Sequence, residues 1–303
     1  MDYDDFFTSL FLWLKQQEAS NGGVFERTIL AGGFEYKGTI VTLTGPTGIW
    51  IPKGFEVPVS ITTTKGGPYN DDFSDDGILN YRYRGADPYH RDNRALREAF
   101  KRQTPLVYFY AIKKGKYQAV YPVQIISDNP GQLCIEAAID PALLHKVHKD
   151  ISLPFDTLGE ENIFSVRRYL TRTTKVRLHQ AAFREYVLDA YNRSCTICRL
   201  QHPELLDAAH IIPDAEEGGE PVVPNGLSLC KIHHSAYDQN IIGITPDYDL
   251  RVRGDILDEI DGPMLEYGLK AVEGQKIILP NRKQDYPDKD RLAKRFEEFG
   301  KVG

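Results

Sequence analysis

Apolar residues recur at helical spacing near the start of the chain, from Asp4 to Glu18. Residues three or four apart lie on one face of a helix, and the face here is formed by Phe7, Leu10, Phe11 and Leu14. The pattern predicts a helix whose apolar face packs onto another part of the protein.

The pattern of apolar and polar residues changes between about residues 32 and 138, where short apolar runs alternate with Gly, Pro and Asp clusters. Such runs are typical of β-strands separated by turns, and they begin near Gly38, Gly48, Val57, Leu106 and Tyr117. A helical pattern over 93–102 interrupts them. These observations predict a compact barrel or a strongly curved sheet.

The pattern loosens over 149–161, where Pro154 and Gly159 are typical of a linker. A second helical pattern then runs from Thr174 to Tyr191 and leads into a cysteine cluster. Because 303 residues exceed what one core usually fills, we expect two domains. The predicted bounds are 1–152 and 174–303, joined by a linker over 153–173, in an α+β fold.

The charge and hydropathy of the chain exclude some classes of function. No apolar run reaches the roughly 18 residues that a membrane-spanning helix needs, and the first residues are acidic, so we expect a cytoplasmic protein without membrane association. The net charge of −6 excludes a uniformly basic nucleic-acid binder, but phosphate binding depends on local charge. The segment 166–184 has no acidic residue and six basic ones: Arg167, Arg168, Arg172, Lys175, Arg177 and Arg184. This segment is either a phosphate-binding face or a solvated helix face.

Three of the four cysteines fall within a short stretch that also contains His233. Cys195 and Cys198 are separated by two residues in a C-x-x-C spacing, and Cys230 and His233 repeat that spacing. Two short chelating pairs supply the tetrahedral ligand set that Zn²⁺ prefers. The sequence therefore predicts a structural zinc ion. Cys134 lies in an apolar run and is predicted to be a small buried side chain.

Three further elements occur in order around these ligands: A-H-I at 209–211, N-G-L-S-L-C at 225–230 and H-H-S-A-Y-D at 233–238. Over about Thr174 to Arg253 the chain resembles the HNH branch of the ββα-metal nucleases. The resemblance implies a zinc-braced hairpin and helix that hydrolyse phosphodiester bonds in DNA.

The same resemblance implies a role for each motif residue. His210 would be the general base that activates water, and Asn225 would hold the loop that orients it. His234 and Asp238, four residues apart on one helix face, would hold a catalytic Mg²⁺ or Mn²⁺. One departure concerns Ala209, because many family members carry a metal ligand at this position. Asp207 alternates differently from His210 along a strand, so the implied shell is His234, Asp238, phosphate and water.

The N-terminal half contains a second set of motifs. These are G-G-P-Y-N-D-D at 66–72, Y-R-G at 83–85 and N-R-A-L at 93–96. Over about 32–128 they resemble the SRA domain, a base-flipping reader of modified cytosine with an SRA/PUA-like curved β-barrel. Arg84 stands where Thr is usual.

The resemblance implies a pocket for a flipped base. Tyr69 and Tyr83 would sandwich the base, and Asp72, or Asp71 if the register slips by one residue, would accept from the cytosine amino group. Phosphates would be held by Arg82, Arg84 and Arg91. The alternative is that the acidic segment is a surface turn and the tyrosines belong to the core.

Together the two resemblances imply an SRA–HNH modification-dependent restriction endonuclease. It would bind double-stranded DNA containing 5-methylcytosine or 5-hydroxymethylcytosine. One rival is an HNH endonuclease whose N-terminal domain reads another modification or DNA shape, and a second is a non-cleaving, zinc-braced DNA-binding protein. Because one HNH centre cuts one strand, double-strand cleavage would need two protomers or two binding events, and a homodimer is an expectation.

Overall fold

The computed structural model describes residues 2–63, 74, 78–139 and 160–302. The chain divides into two compact units, Met1–Ala181 and Ala182–Gly303. Among the described residues, no helix combines the length and the apolarity that crossing a membrane requires.

The first unit contains a seven-stranded sheet and several helices. The helices are α1 (Tyr3–Asn21), α2 (Arg27–Gly32), α3 (Arg91–Arg102) and the first part of α4 (Glu160–Ala190). The strands are β1 (Val24–Glu26), β2 (Phe34–Tyr36), β3 (Thr39–Val41), β4 (Ile49–Trp50), β5 (Ser60–Thr62), β6 (Ile78–Arg82), β7 (Leu106–Lys113), β8 (Lys116–Asn129) and β9 (Cys134–Ile139).

The sheet follows the order β4-β5-β7-β8-β9-β6, and β1 pairs with β8. Strands β5 and β7 are parallel, whereas the other pairs are antiparallel. Register irregularities interrupt the β7–β8 and β8–β9 pairs, and such bulges bend a sheet. The result is a curled half-barrel, which confirms the predicted curved sheet and the α+β class.

Both faces of this sheet are buried, because alternate residues of a strand point to opposite sides. In β7, Val107 and Phe109 join one apolar core, whereas Leu106 and Tyr108 join another. The first core includes the α1 residues Phe7, Leu10, Phe11 and Leu14, each at most 2% exposed, so the predicted apolar face of this helix is confirmed. The second core receives Leu96 of α3 and the α4 residues Val166, Leu170 and Leu178.

The second unit is built from two short hairpins and the helices around them. Its strands are β10 (Leu206–His210), β11 (Gly226–Cys230), β12 (Ile242–Ile244) and β13 (Leu250–Val252). Its helices are the last part of α4, α5 (Lys231–Asp238), α6 (Gly254–Asp258) and α7 (Lys289–Gly300). Phe183, Val187, Leu188 and Tyr191 of α4 are buried in a core with the residues of both hairpins.

The predicted linker over 153–173 overlaps α4 from Glu160 onward. Its first residues, 153–159, lie outside the described residues. The compact units meet within the same helix, after Ala181. The domain bounds inferred from the sequence stay a prediction.

Candidate active site

A hairpin followed directly by a helix carries most of the predicted site residues. β10 and β11 pair in antiparallel register, with His210 opposite Gly226 and Asp207 opposite Leu229. Helix α5 begins at the residue after β11 and carries His233, His234 and Asp238. This is the strand-strand-helix order that the sequence motifs predict.

The four predicted zinc ligands meet at the start of α5. The ligand atoms of Cys195, Cys198, Cys230 and His233 all lie within 4.8 Å of one another. The Sγ atoms of Cys198 and Cys230 are 3.9 Å apart, and Nδ1 of His233 is 3.5 Å and 3.2 Å from the Sγ atoms of Cys195 and Cys230. Ideal tetrahedral Zn–S and Zn–N bonds place S and S about 3.8 Å apart and S and N about 3.6 Å apart. The cluster therefore fits zinc.

The surroundings of His233 also fit a metal ligand. Its Nε2 lies 2.8 Å from the carbonyl oxygen of Gly268, so the imidazole donates there and turns Nδ1 towards the cysteines. A histidine that ligates a metal commonly donates its other N–H to a backbone carbonyl, which fixes the tautomer and the ring orientation. His233 itself is 3% exposed. Cys134 lies apart from this cluster, half-buried in β9.

Asn225 joins the segment after His210 to the turn before β11. Its side-chain oxygen accepts from the backbone N–H of Ile212 at 2.9 Å, and its amide nitrogen donates to the carbonyl oxygens of Ile212 at 3.0 Å and Glu220 at 3.2 Å. The backbone carbonyl of Asn225 accepts from Ile211 at 2.9 Å. Because Asn225 is fully buried, these bonds clamp the chain immediately after His210.

His210 lies at the end of β10 against an aromatic ring. Its imidazole stacks on Phe183, with ring centroids 4.1 Å apart and an interplanar angle of 18°. Burial lowers the pKa of His210; nearby Asp214 and Asp238 oppose this shift, whereas nearby His234 reinforces it. The imidazole is therefore neutral at neutral pH and able to accept a proton. Nε2 is buried and, within the described part of the chain, has no hydrogen-bond partner, which is uncommon for a buried ring nitrogen.

His234 lies between two carboxylates. Its Nδ1 is 3.5 Å from Asp207 Oδ2, and its Nε2 is 3.3 Å from Asp238 Oδ2. Lys231 also reaches Asp207, with Nζ 2.6 Å from Oδ2. The contact with His234 lowers the pKa of the Asp207 carboxyl to about 2, with a further contribution from Lys231 against the opposing effect of burial. The same contact raises the pKa of His234.

The nitrogen and carboxylate of His234 and Asp238 form a donor set that suits a hard divalent cation together with phosphate and water. Both side chains are partly open to solvent, with 26% of His234 and 54% of Asp238 exposed. Ala209, at the position where many HNH nucleases carry a metal ligand, is fully buried in the core. The acidic group beside Nδ1 of His234 is Asp207, although it was not expected there from its position along the strand.

In the first unit, Tyr83 is the predicted pocket residue that the structure describes. Its ring is 2% exposed, and its hydroxyl donates to the carboxylate of Asp128. Arg97 donates to the Tyr83 hydroxyl at 3.1 Å and to Asp128 at 2.8 Å. Burial and the Asp128 hydrogen bond raise the pKa of Tyr83 to about 12. Tyr69, Asp71 and Asp72 lie outside the described residues.

The segment that follows Tyr83 is held by α3. Asn93 is fully buried, accepts from the backbone N–H of Arg84 at 2.8 Å, and donates to the carbonyls of Arg84 at 3.0 Å and Asp87 at 2.7 Å. The Arg84 guanidinium pairs with Asp92 at 2.7 Å. The N-R-A-L motif thus connects structurally to Y-R-G.

One basic residue of the segment 166–184 has a structural role. Arg184 donates to the carbonyls of Pro203 and Leu206, both at 2.8 Å, and so fixes the chain that enters β10. Arg172 and Arg177 are exposed on α4. The side chains of Arg167 and Arg168 lie outside the described residues.

Residues 195–245, which contain the zinc cluster, the hairpin and α5, match the family model described as HNH endonuclease. These residues form an HNH endonuclease domain. With the hairpin-helix geometry and the neutral His210 described above, this match makes the chain a metal-dependent DNA endonuclease.

Solved structures with similarity to parts of this chain were also found. The modification-dependent TagI restriction endonuclease is 13% identical, with 91% of this chain and 95% of that chain covered and a TM-score of 0.29. The SUVH5 SRA domain in complex with methylated CHH DNA is 17% identical, with 39% and 92% covered and a TM-score of 0.25.

The Type IV phosphorothioation-dependent restriction endonuclease ScoMcrA is 15% identical, with 69% of this chain and 51% of that chain covered and a TM-score of 0.27. TM-scores this low assign neither a substrate nor a modified base to the HNH endonuclease described here. No curated protein matches the chain.

Two residues that contact the HNH centre lie outside the sequence motifs. Asp207 is brought to His234 by the packing of α5 beside β10, and Phe183 is brought to His210 by α4. The helical periodicity of α4 places Phe183 on the apolar face, but it carries no signal of what that face contacts. An acidic residue three positions before His210 was the available signal for Asp207.

Proposed function

We propose that the chain is a modification-dependent restriction endonuclease: the N-terminal domain, 1–152, reads modified cytosine in double-stranded DNA, and the nuclease domain, 174–303, cuts. The nuclease part of the proposal rests on the hairpin and helix, which bring together His210, Asn225, His234 and Asp238. They lie beside a cluster of three cysteines and one histidine that fits zinc. The reader half rests on the G-G-P-Y-N-D-D, Y-R-G and N-R-A-L motifs.

His210 acts as the general base. Its imidazole takes a proton from the water that attacks phosphorus, and its lowered pKa keeps it unprotonated at neutral pH. Asn225 restrains the backbone of Ile211 and Ile212, so the imidazole keeps its direction while the proton moves. General-base catalysis of this kind contributes about 10²- to 10⁴-fold to a rate.

His234 and Asp238 would hold the catalytic Mg²⁺ or Mn²⁺. When bound, such a cation stabilises charge on the phosphate and on the leaving oxygen. Asp207 accepts from Nδ1 of His234, so that Nε2 is left for the cation on the side where Asp238 lies. This carboxylate-histidine arrangement supplies the acidic group that Ala209 lacks, and it favours a cutting enzyme over a non-cleaving zinc scaffold.

The N-terminal domain flips the modified base into a pocket with Tyr69 and Tyr83 on its two faces and Asp72 at the amino group. The partly buried Arg97–Asp128–Tyr83 hydrogen bonds support this proposal, because they fix the tyrosine ring in one orientation. Asn93 restrains the adjoining backbone at Arg84. Because one HNH centre cuts one strand, double-strand cleavage uses a second copy of the chain or a second binding event.

Plasmids that differ only in cytosine methylation test the proposal. Wild-type protein and the His210→Ala variant are each incubated with methylated and unmethylated supercoiled plasmid and with Mg²⁺ or Mn²⁺. We expect the wild type alone to nick or linearise the methylated plasmid preferentially. Equal cutting of both plasmids would leave a nuclease that reads something other than cytosine methylation. No cutting of either plasmid with either metal would contradict the nuclease assignment for these substrates.

A further inference from the structure

The imidazole of His210 and the ring of Phe183 form a close, nearly parallel stack. Their centroids are 4.1 Å apart, and the two planes differ by 18°. Phe183 is 3% exposed, so its ring is held on its other sides by the core of the second unit. One face of the imidazole is therefore covered by a rigid neighbour, while the ring edge that carries the nitrogens lies outside this contact.

The stack depends on the residue that pairs with His210. Gly226 lies opposite His210 in the β10–β11 register. A Cβ at this position would lie 2.3 Å from Val187 Cγ2 and 2.9 Å from Phe183 Cζ, and real Cβ atoms do not approach that closely. The backbone of Gly226 is extended, with a φ of −126°, so any residue could adopt it. Glycine is required here for space.

Helix α4 is seated on Gly226 by three residues at four-residue intervals. Phe183 and Val187 occupy the space that a Cβ would take, and the hydroxyl of Tyr191 donates to the Gly226 carbonyl at 3.2 Å. Residues four apart share one helix face. Phe183 thus belongs to the helix face that packs on Gly226, and its ring also stacks on His210. Because Gly226 has no side chain, this ring can lie close to the hairpin.

We propose that Phe183, seated on Gly226, is a positioning residue that holds the His210 imidazole in its catalytic orientation. The proposal rests on the proposed function, in which His210 is the general base. Phe183 has no group that exchanges protons, so it acts only by restricting rotation of the imidazole about its side-chain torsions. Asn225 restrains the backbone beside His210, and Phe183 restrains the ring.

A space-filling role alone predicts a different result. If Phe183 only filled the core, replacing it by another apolar residue would change the stability of the fold and leave the chemical step as fast as before. If it positions His210, the chemical step slows while zinc content and DNA affinity remain. Misplacing a catalytic group by about 1 Å costs on the order of 10²-fold in rate.

The test compares Phe183→Leu with Leu188→Val in full-length protein. Leu188 is fully buried on the same helix and offers no ring to His210, so its variant is the control for lost packing. Zinc content, affinity for methylated plasmid without catalytic metal, and the single-turnover cleavage rate with Mn²⁺ are measured. We expect a roughly 10- to 100-fold slower rate for Phe183→Leu and a near-wild-type rate for the control. Rates within twofold of wild type for both folded variants would overturn the proposal.

His210→Ala in the same assay separates this proposal from the one on which it rests. If His210→Ala cuts as fast as wild type, the general-base assignment fails. If His210→Ala is slow and Phe183→Leu is as fast as wild type, only the positioning role fails. In the double variant, Phe183→Leu should cause no further loss beyond His210→Ala, because residues that act through one group are not additive.

A spectroscopic readout tests the stack without cleavage. The ring current of Phe183 should shift the imidazole protons of His210 upfield, and the shift should be absent in Phe183→Leu. Phe183→Met provides a second aliphatic variant if Phe183→Leu loses its zinc. Absence of an upfield shift in the wild-type protein would overturn the proposal whatever the behaviour of the variants.

Discussion

The carboxylate of Asp207 lies 3.5 Å from Nδ1 of His234. Asp207 lies in β10, whereas His234 lies in α5. On the opposite edge of the imidazole, Nε2 faces Asp238 at 3.3 Å. Asp207 therefore orients His234 towards the side where its second carboxylate neighbour lies.

Replacing Asp207 by Asn should weaken binding of the catalytic metal. The amide keeps the shape of the side chain but loses the charge that orients and polarises His234, and changes of this kind cost about 10- to 100-fold in metal affinity. The Mn²⁺ concentration for half-maximal cleavage should rise accordingly, with zinc content unchanged. Asp255→Asn, at an exposed acid paired with Arg253, is the control. An unchanged Mn²⁺ requirement for Asp207→Asn would contradict the role.

Replacing His210 by Ala should abolish cleavage and leave DNA binding nearly intact, because the base acts on water. The rate should fall by about 10²- to 10⁴-fold. His202→Ala provides a matched control, since that imidazole is 64% exposed and pairs with Glu204. Single-turnover cleavage and equilibrium binding to the same plasmid separate the two effects. Activity above about a tenth of wild type would exclude His210 as the base.

Replacing Cys195 by Ser should release zinc and unfold the nuclease domain. Structural zinc contributes roughly 10 kcal/mol or more to the folding of small zinc domains, and Cys195 is fully buried within the ligand cluster. Elemental analysis should find about one zinc per wild-type chain and much less in the variant. Cys134→Ser, at the cysteine outside the cluster, should retain zinc. A folded and active Cys195→Ser protein without zinc would refute the site.

Cleavage should lose rate at acid pH with a midpoint below 6.5. The imidazole of His210 works as a base only when neutral, and burial moves its pKa below the ordinary value of 6.5 against the opposing charges of Asp214 and Asp238. The rate therefore rises as pH increases through the lowered pKa and is flat above it. Single-turnover rates from about pH 5 to pH 8 at saturating metal measure the midpoint. A midpoint above 6.5 would disagree with a buried neutral base.

Tyr83 should control the preference for methylated DNA. Binding is measured with full-length His210→Ala protein, which avoids cleavage, on duplexes that differ only in cytosine methylation. Stacking of a base on an aromatic ring contributes about 1 to 3 kcal/mol, so Tyr83→Ala should weaken binding to the methylated duplex by roughly tenfold or more. Tyr83→Phe, which keeps the ring, should retain the preference. Tyr89→Ala, at a 73% exposed tyrosine, should have no effect.

The preference itself should be graded, since one methyl group in an apolar pocket discriminates by about 10- to 200-fold. Tyr69→Ala should weaken binding as Tyr83→Ala does, and Asp72→Ala should cost a further 1 to 3 kcal/mol or so. Equal affinity of the parent protein for both duplexes would show that the N-terminal domain does not read cytosine methylation.

Some features of this protein are formed by residues that lie close together along the chain, and their spacing in the sequence predicted them. The two chelating pairs, Cys195 with Cys198 and Cys230 with His233, can hold one ion because a few residues of backbone limit how far each pair separates. The apolar face of α1 is equally local, since helical periodicity alone places its four residues on one side. The structure confirms the apolar face of α1, and it brings the four chelating side chains into one cluster that could hold a metal ion.

The pairing of strands that are distant along the chain could not be predicted from such spacing. The continuous apolar run of β7 is typical of a strand with two buried faces, but it does not reveal that β5 lies parallel to it or that β6 lies beside β9. Register between separate segments depends on which surfaces pack best in the folded chain. The runs of apolar residues thus determined that a curved sheet would form, whereas tertiary packing decided its order.

Arg184 lies in the basic segment that was predicted either to bind phosphate or to face solvent. Its guanidinium instead donates to the carbonyl oxygens of Pro203 and Leu206. Val176 is an apolar residue within the helical pattern from Thr174 to Tyr191, yet it is 41% exposed. In both cases the residue type determined a propensity, and the neighbours supplied by other segments decided its role.

The sequence by itself determined the two chelating pairs and the pair His234 and Asp238, because the members of each pair lie within four residues of one another along the chain. Only the tertiary structure decided that Asp207 contacts His234 and that Phe183 covers His210 over Gly226. These contacts join side chains from separate elements. Their physical basis is close packing between surfaces, where the space left by one missing side chain determines what another residue touches.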